Sequence, residues 1–115
     1  MRRELGKRAK AILLNYANEL PGQLQKILIP VKGMLVQEGI IENDAIDLGV
    51  LGVSALHNAA KLYDAIVASL ESNPVKFSKL IDIFKSFTTL TTVAVELEQA
   101  GKLNILHMLF QNSIL

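Results

Sequence analysis

Two histidines, His57 and His107, and eleven Asp and Glu residues are the side chains of this chain best suited to hold a metal or pass a proton. The histidines stand fifty residues apart, on different predicted helices, and neither belongs to an HExxH arrangement. A site of two histidines and a carboxylate needs the fold to bring them together, because no ligand spacing in the sequence does so. The simpler reading is one exposed and one half-buried histidine. No serine lies in a GxSxG turn, so a Ser-His-Asp triad has no nucleophile elbow. "GVLG" (49–52) and "KGMLVQEG" (32–39) lack the GK[ST] ending and preceding strand of a phosphate loop. Four carboxylates, Glu38, Glu42, Asp44 and Asp47, crowd one stretch, but they do not follow the alternating Asp/Asn pattern of a calcium loop. Cysteine is absent, which removes disulfides, thiolate metal sites and a thiol nucleophile together. The expectation is a protein without catalysis, metal or cofactor.

Charge is the more informative property. Residues 1–10 carry five bases and one acid, and residues 38–47 carry four acids and no base. A formal net charge of +1 therefore hides two opposite poles. The basic start, with Arg2, Arg3, Lys7, Arg8 and Lys10, raises nucleic acid or an anionic membrane as partners. Nucleic acid is disfavoured by a pI near 8.0 and by the lack of an aromatic platform or reading helix beside the bases. A solvated helix face is the plainest account of such a run. "ILHMLF" (105–110) suits a membrane surface by composition, but it lacks the Lys/Arg-rich polar face of such helices. No apolar run approaches the roughly 18 residues of a membrane span. "AILLNYANEL" turns polar too early for a secretory signal. The reading is a soluble, cytoplasmic chain, and a mean hydropathy of +0.34 suggests that some apolar surface meets a partner.

The elements that must carry these charges are helical nearly throughout. Half of the 115 residues are hydrophobic but only 5% are aromatic, so one domain with an aliphatic core is expected. Leu5, Ala9, Ile12, Tyr16 and Leu20 recur at helical spacing, with Arg3, Lys7 and Lys10 on the other side, until "LPG" (20–22) ends or kinks the helix. Leu24, Ile27, Leu28, Val31 and Leu35 continue the pattern, with a break or kink at Pro30 and a cap at Gly39. "ENDAIDLG" (42–49) reads as a short helix capped by Asn43 or Asp44. Ser54 caps a long helix to about Ser72, with Leu56, Ala59, Tyr63, Ile66 and Leu70 inward and His57, Lys61 and Asp64 outward. Asn73 and Pro74 restart a helix whose Phe77, Leu80, Ile81 and Phe84 line one face, the expected centre of the core. "FTTLTT" (87–92) is a loop or helix start, followed by a helix ending at Gly101. A final, frayed helix then carries Leu103, Leu106, Phe110 and Ile114. The fold class is all-α, a compact six- to seven-helix antiparallel bundle.

This order of helices resembles a caspase recruitment domain, within the death-fold superfamily of six-helix bundles. The resemblance spans about residues 5–100. Its carriers are "LGKRAKAILLNYANEL", similar to a long kinked first helix, and "MLVQEGIIENDAIDL", similar to an apolar helix, Gly turn and short acidic third helix. "ALHNAAKLYDAIVASLESNPVKFSKLIDIF" follows, similar to the fourth helix, break and aromatic-containing fifth helix. The chain departs from the pattern where Pro30 and Gly33 interrupt the second helix and where the apolar stretch from Leu103 extends past the sixth. The resemblance implies homotypic association of like domains, an adaptor role in immunity or cell-death signalling, and oligomeric assembly. It places a protein-binding basic face at Arg3, Lys7, Arg8, Lys10 and Lys61, and an acidic face at Glu38, Glu42, Asp44 and Asp47. An alternative of another class is a small regulatory or immunity-type bundle that binds one unrelated protein through its apolar C-terminal segment.

Overall fold

The computed structural model describes the backbone of residues 2–114 and the side chains of residues 4–102. Helix α1 spans Arg2–Leu14 and buries Ala9, Ile12 and Leu13. It stops short of "LPG", where the sequence pattern placed its end. Asn15, Tyr16 and Ala17 donate to the carbonyls three residues back, which tightens the helix into turns. The Leu13 carbonyl is claimed by the Tyr63 hydroxyl at 2.6 Å. Helix α2, Leu20–Leu24, then starts with Pro21 in its first turn, where a missing N–H costs nothing.

Helix α3 spans Leu28–Gln37. Pro30 sits in its first turn, so the break falls just ahead of the proline and a new helix begins there. Gly39 closes α3 as expected, with φ +72. Its N–H reaches the Val36 carbonyl at 3.0 Å, and the Ile40 N–H reaches that of Leu35 at 2.9 Å, which is the Schellman pattern. The short acidic helix is reduced to one 3-10 turn, Asn43–Ala45, and neither Asn43 nor Asp44 caps it, because Glu42 holds that position. Ile46 ends the turn in extended backbone and buries its side chain in the core.

Helix α4, Ala55–Ser72, is capped by the Ser54 hydroxyl, which accepts from the His57 N–H at 3.1 Å. Ala59, Tyr63, Ile66 and Leu70 face inward as their spacing requires, joined by Leu62 and Val67. Leu56 does not: it lies in the first turn and is 51% exposed. Helix α4 packs against α1, α2 and α3, so it, and not the phenylalanine-rich segment, is the central element. Gly6 lies against the Glu71 carbonyl and Leu13 against Tyr63, so α1 runs antiparallel to α4.

After a 3-10 turn at Pro74–Lys76, helix α5, Phe77–Lys85, buries Leu80, Ile81, Ile83 and Phe84. Phe77 and Phe87 are only partly buried at its margins. "FTTLTT" becomes a 3-10 turn, Thr88–Leu90, leading into helix α6, Thr91–Ile114. This helix does not end at Gly101. That glycine is helical, and a Cβ built on it would lie 3.2 Å from the Phe77 ring. Gly101 therefore admits an aromatic neighbour and does not cap. The separate C-terminal helix expected from about residue 103 is a continuation of α6. The side chains of Leu103, Leu106, Phe110 and Ile114 lie outside the described residues, as does any fraying at the end. The architecture is an all-α bundle of six α-helices, with no strand among the described residues.

Candidate functional site: two charged surface segments

Among the described residues no group of three or more His, Cys, Asp or Glu side chains is placed to hold a metal ion. His57 is exposed on α4, and the His107 side chain lies outside the described residues. No helix among the described residues is long and apolar enough to cross a membrane. The charged segments are the distinctive surface features.

The basic residues divide. Lys7 is exposed on α1 and makes no ion pair with the described residues. Arg8 pairs with Glu4 one turn back at 3.3 Å, and Lys10 pairs with Glu71 of α4 at 3.5 Å. Both pairs are solvent-washed and contribute little to stability. The Arg3 side chain lies outside the described residues. Lys61 is exposed on the outer side of α4, ten residues before Glu71. At 1.5 Å per residue that is about 15 Å along the helix from the Lys10 contact. Lys7 and Lys10 therefore share one end of the α1–α4 pair, and Lys61 stands apart from them.

The acidic residues follow one continuous segment. Glu38 is half-buried at the end of α3 and pairs with Lys79 of α5 at 3.7 Å. Glu42, Asp44 and Asp47 are exposed and make no ion pair with the described residues. Among the described residues the Asp47 carboxylate accepts only the Gly49 N–H, at 2.9 Å, which fixes the local turn. Three donors that sequence reasoning missed hold this segment by its main chain. Lys76 Nζ donates to the Glu38 carbonyl at 3.0 Å, and Lys32 Nζ to the Ile46 carbonyl at 2.7 Å. The Ser69 hydroxyl donates to the Ile40 carbonyl. Two lysines beside an acidic stretch thus bind its backbone and leave Glu42, Asp44 and Asp47 open to solvent. No pattern of residue types signals such contacts.

Elsewhere polar groups close the seams between helices. The Tyr16 hydroxyl donates to Glu96 Oε1 at 2.9 Å, joining the end of α1 to α6. Burial and then this bond push the Tyr16 phenol up to about 12. Lys85 Nζ donates to Glu98 Oε2 at 2.8 Å across α5 and α6 and holds that carboxyl below its usual range. Beyond the acidic segment, "GVLG" carries two apolar side chains into solvent, Val50 at 49% exposure and Leu51 at 95%. On α1, Leu14 is 48% exposed. In the sequence the "GVLG" link was set aside only as a phosphate loop; its apolar tip was not singled out.

Fold and surface together define an all-α bundle that presents two oppositely charged segments on separate elements. No protein-family model, no curated protein and no solved structure matches the chain.

Proposed function

We propose that the chain is a non-enzymatic interaction module whose copies, or like domains, associate through opposite charges. What supports this reading most directly is the exposure of Glu42, Asp44 and Asp47 without ion-pair partners among the described residues, while Lys7 and Lys61 are likewise exposed elsewhere. Positive meeting negative steers encounter and fixes orientation. A contact between two different faces is heterologous, so it propagates unless its geometry closes a ring. The resemblance of the helix order to caspase recruitment domains points the same way: an adaptor that recruits like domains in the cytoplasm, in immune or cell-death signalling. Arg8, Lys10 and Glu38 are secondary contributors in this reading, because each already has a partner within its own copy.

Light scattering on the purified chain across a salt series, with negative-stain microscopy of the same samples, tests the reading. Large species at low salt that dissolve as salt screens the charges are expected. Lys7→Glu and Asp44→Lys should each weaken association, and the pair combined should restore part of it. Unchanged association in both single variants would refute the charge mechanism.

A further inference from the structure

Leu51 is 95% exposed, the highest value among the large apolar side chains described. It is held on a turn and not on a free end. Gly49 is tied to Asp47, and Gly52, at φ +83, takes a backbone conformation that favours glycine. Val50 stands beside it, and Asp44 and Asp47 precede it on the same surface segment. The acidic segment therefore ends in a fixed apolar tip.

The outer side of α1 has the complementary composition. Lys7, Ala11 and Leu14 fall at i, i+4 and i+7, on one line of the helix, and all three are exposed. A base and an apolar side chain thus lie about 10 Å apart along the axis. One segment offers acid then leucine, and the other offers base then leucine. Each copy of the chain carries both.

We propose that Leu51 is the apolar anchor of a head-to-tail contact between two copies. It seats on the Ala11–Leu14 line of a second copy's α1, with Lys7 of that copy facing Asp44 or Asp47. This rests on the homotypic reading above and adds to it the group that makes the contact persist. Exposed charges steer an encounter but contribute little once formed, whereas an apolar side chain that loses its water supplies a short-range, salt-insensitive attraction. The occupant is a second copy because charge and apolar character are matched between two surfaces of this same chain.

The absence of cysteine permits a direct test. Leu14→Cys and Leu51→Cys variants, one of them isotopically labelled, are mixed at low salt under mild oxidation, and dimers are sorted by mass spectrometry. Random pairing of an equal mixture already gives mixed disulfides, joining position 14 of one variant to position 51 of the other, at about twice the amount of each same-variant dimer; a ratio well above that is expected, and a ratio at or below it overturns the proposal. Sedimentation velocity on Leu51→Ser gives the second measure. Its near-complete exposure makes it neutral to folding, which a thermal melt checks. Association at least about tenfold weaker is expected, as for an interface hot spot. Suppose Lys7→Glu weakens association while Leu51→Ser behaves as wild type. The anchor is then refuted and the charge-based module stands. A wild-type chain that stays monomeric at every salt concentration refutes both.

Discussion

Adding one methyl group at Gly6 tests the closest approach made at any of the seven glycines. A Cβ there would overlap the Glu71 carbonyl oxygen, a backbone atom that cannot rotate aside. Helix α1 must then move away from α4, straining the 2.6 Å bond from Tyr63 to the Leu13 carbonyl at the other end of the contact. Overpacking of this kind costs roughly 1–3 kcal/mol, and an unyielding backbone neighbour places Gly6→Ala at the upper end. The higher helix propensity of alanine returns about 1 kcal/mol. The net expectation is a loss of about 2 kcal/mol, which for a domain of this size lowers Tm by roughly 8 °C. Gly33 is the control. It also lies inside a helix, α3, but a Cβ on it meets nothing within 4 Å. Gly33→Ala should therefore gain the propensity term alone, about 1 kcal/mol. Urea denaturation followed by far-ultraviolet circular dichroism measures both variants. The same substitution in two helices is thus expected to have opposite signs. A Gly6→Ala variant as stable as the wild type would refute the close approach of α1 to α4.

Substitutions at two further positions probe the polar contacts. Tyr16→Phe removes the bond to Glu96 and should cost about 1 kcal/mol at neutral pH by urea denaturation. Folding raises the Tyr16 phenol from 10.0 to about 12, so its contribution is complete below pH 10 and is lost as pH climbs through about 12. The phenylalanine variant should lack that part of the alkaline decline. Ser54→Ala removes the cap of α4 and should cost about 1 kcal/mol, while Ser54→Asp should retain most of the stability; thermal melts compare the two.

Legibility in the sequence follows the range of the determining interaction. The start of α4 at Ser54 and the end of α3 at Gly39 were readable, because cap and turn depend on residues a few positions away. The end of α1 was not readable. Its Leu13 carbonyl is shared with Tyr63, fifty positions on, and no local pattern announces that. Gly101 misled for a related reason. A glycine after an apolar run usually marks a helix end, yet here its small size makes room for Phe77. Leu56 kept the helical period but lies in the first turn of α4 and is half exposed. For the charged segments, the types and blocks of charge were plain in the sequence. Their division into paired and open residues was not. Glu71 and Lys79 become partners only once the helices are packed, whereas Glu4 reaches Arg8 within α1 itself.

The grip of Lys32, Ser69 and Lys76 on the carbonyls of the acidic segment separates two kinds of information. The path of this segment is written in those three donors and in the buried Ile40, Ile41 and Ile46. Its outward charge is carried by Glu42, Asp44 and Asp47, which among the described residues hold up nothing apart from the Asp47 turn. If copies associate through these charges as proposed, mutational drift at positions 42 and 44 erases or rewrites the contact while the scaffold survives intact. Duplicated copies of such a chain can part company through a few surface changes, each keeping its fold and ceasing to recognise the other.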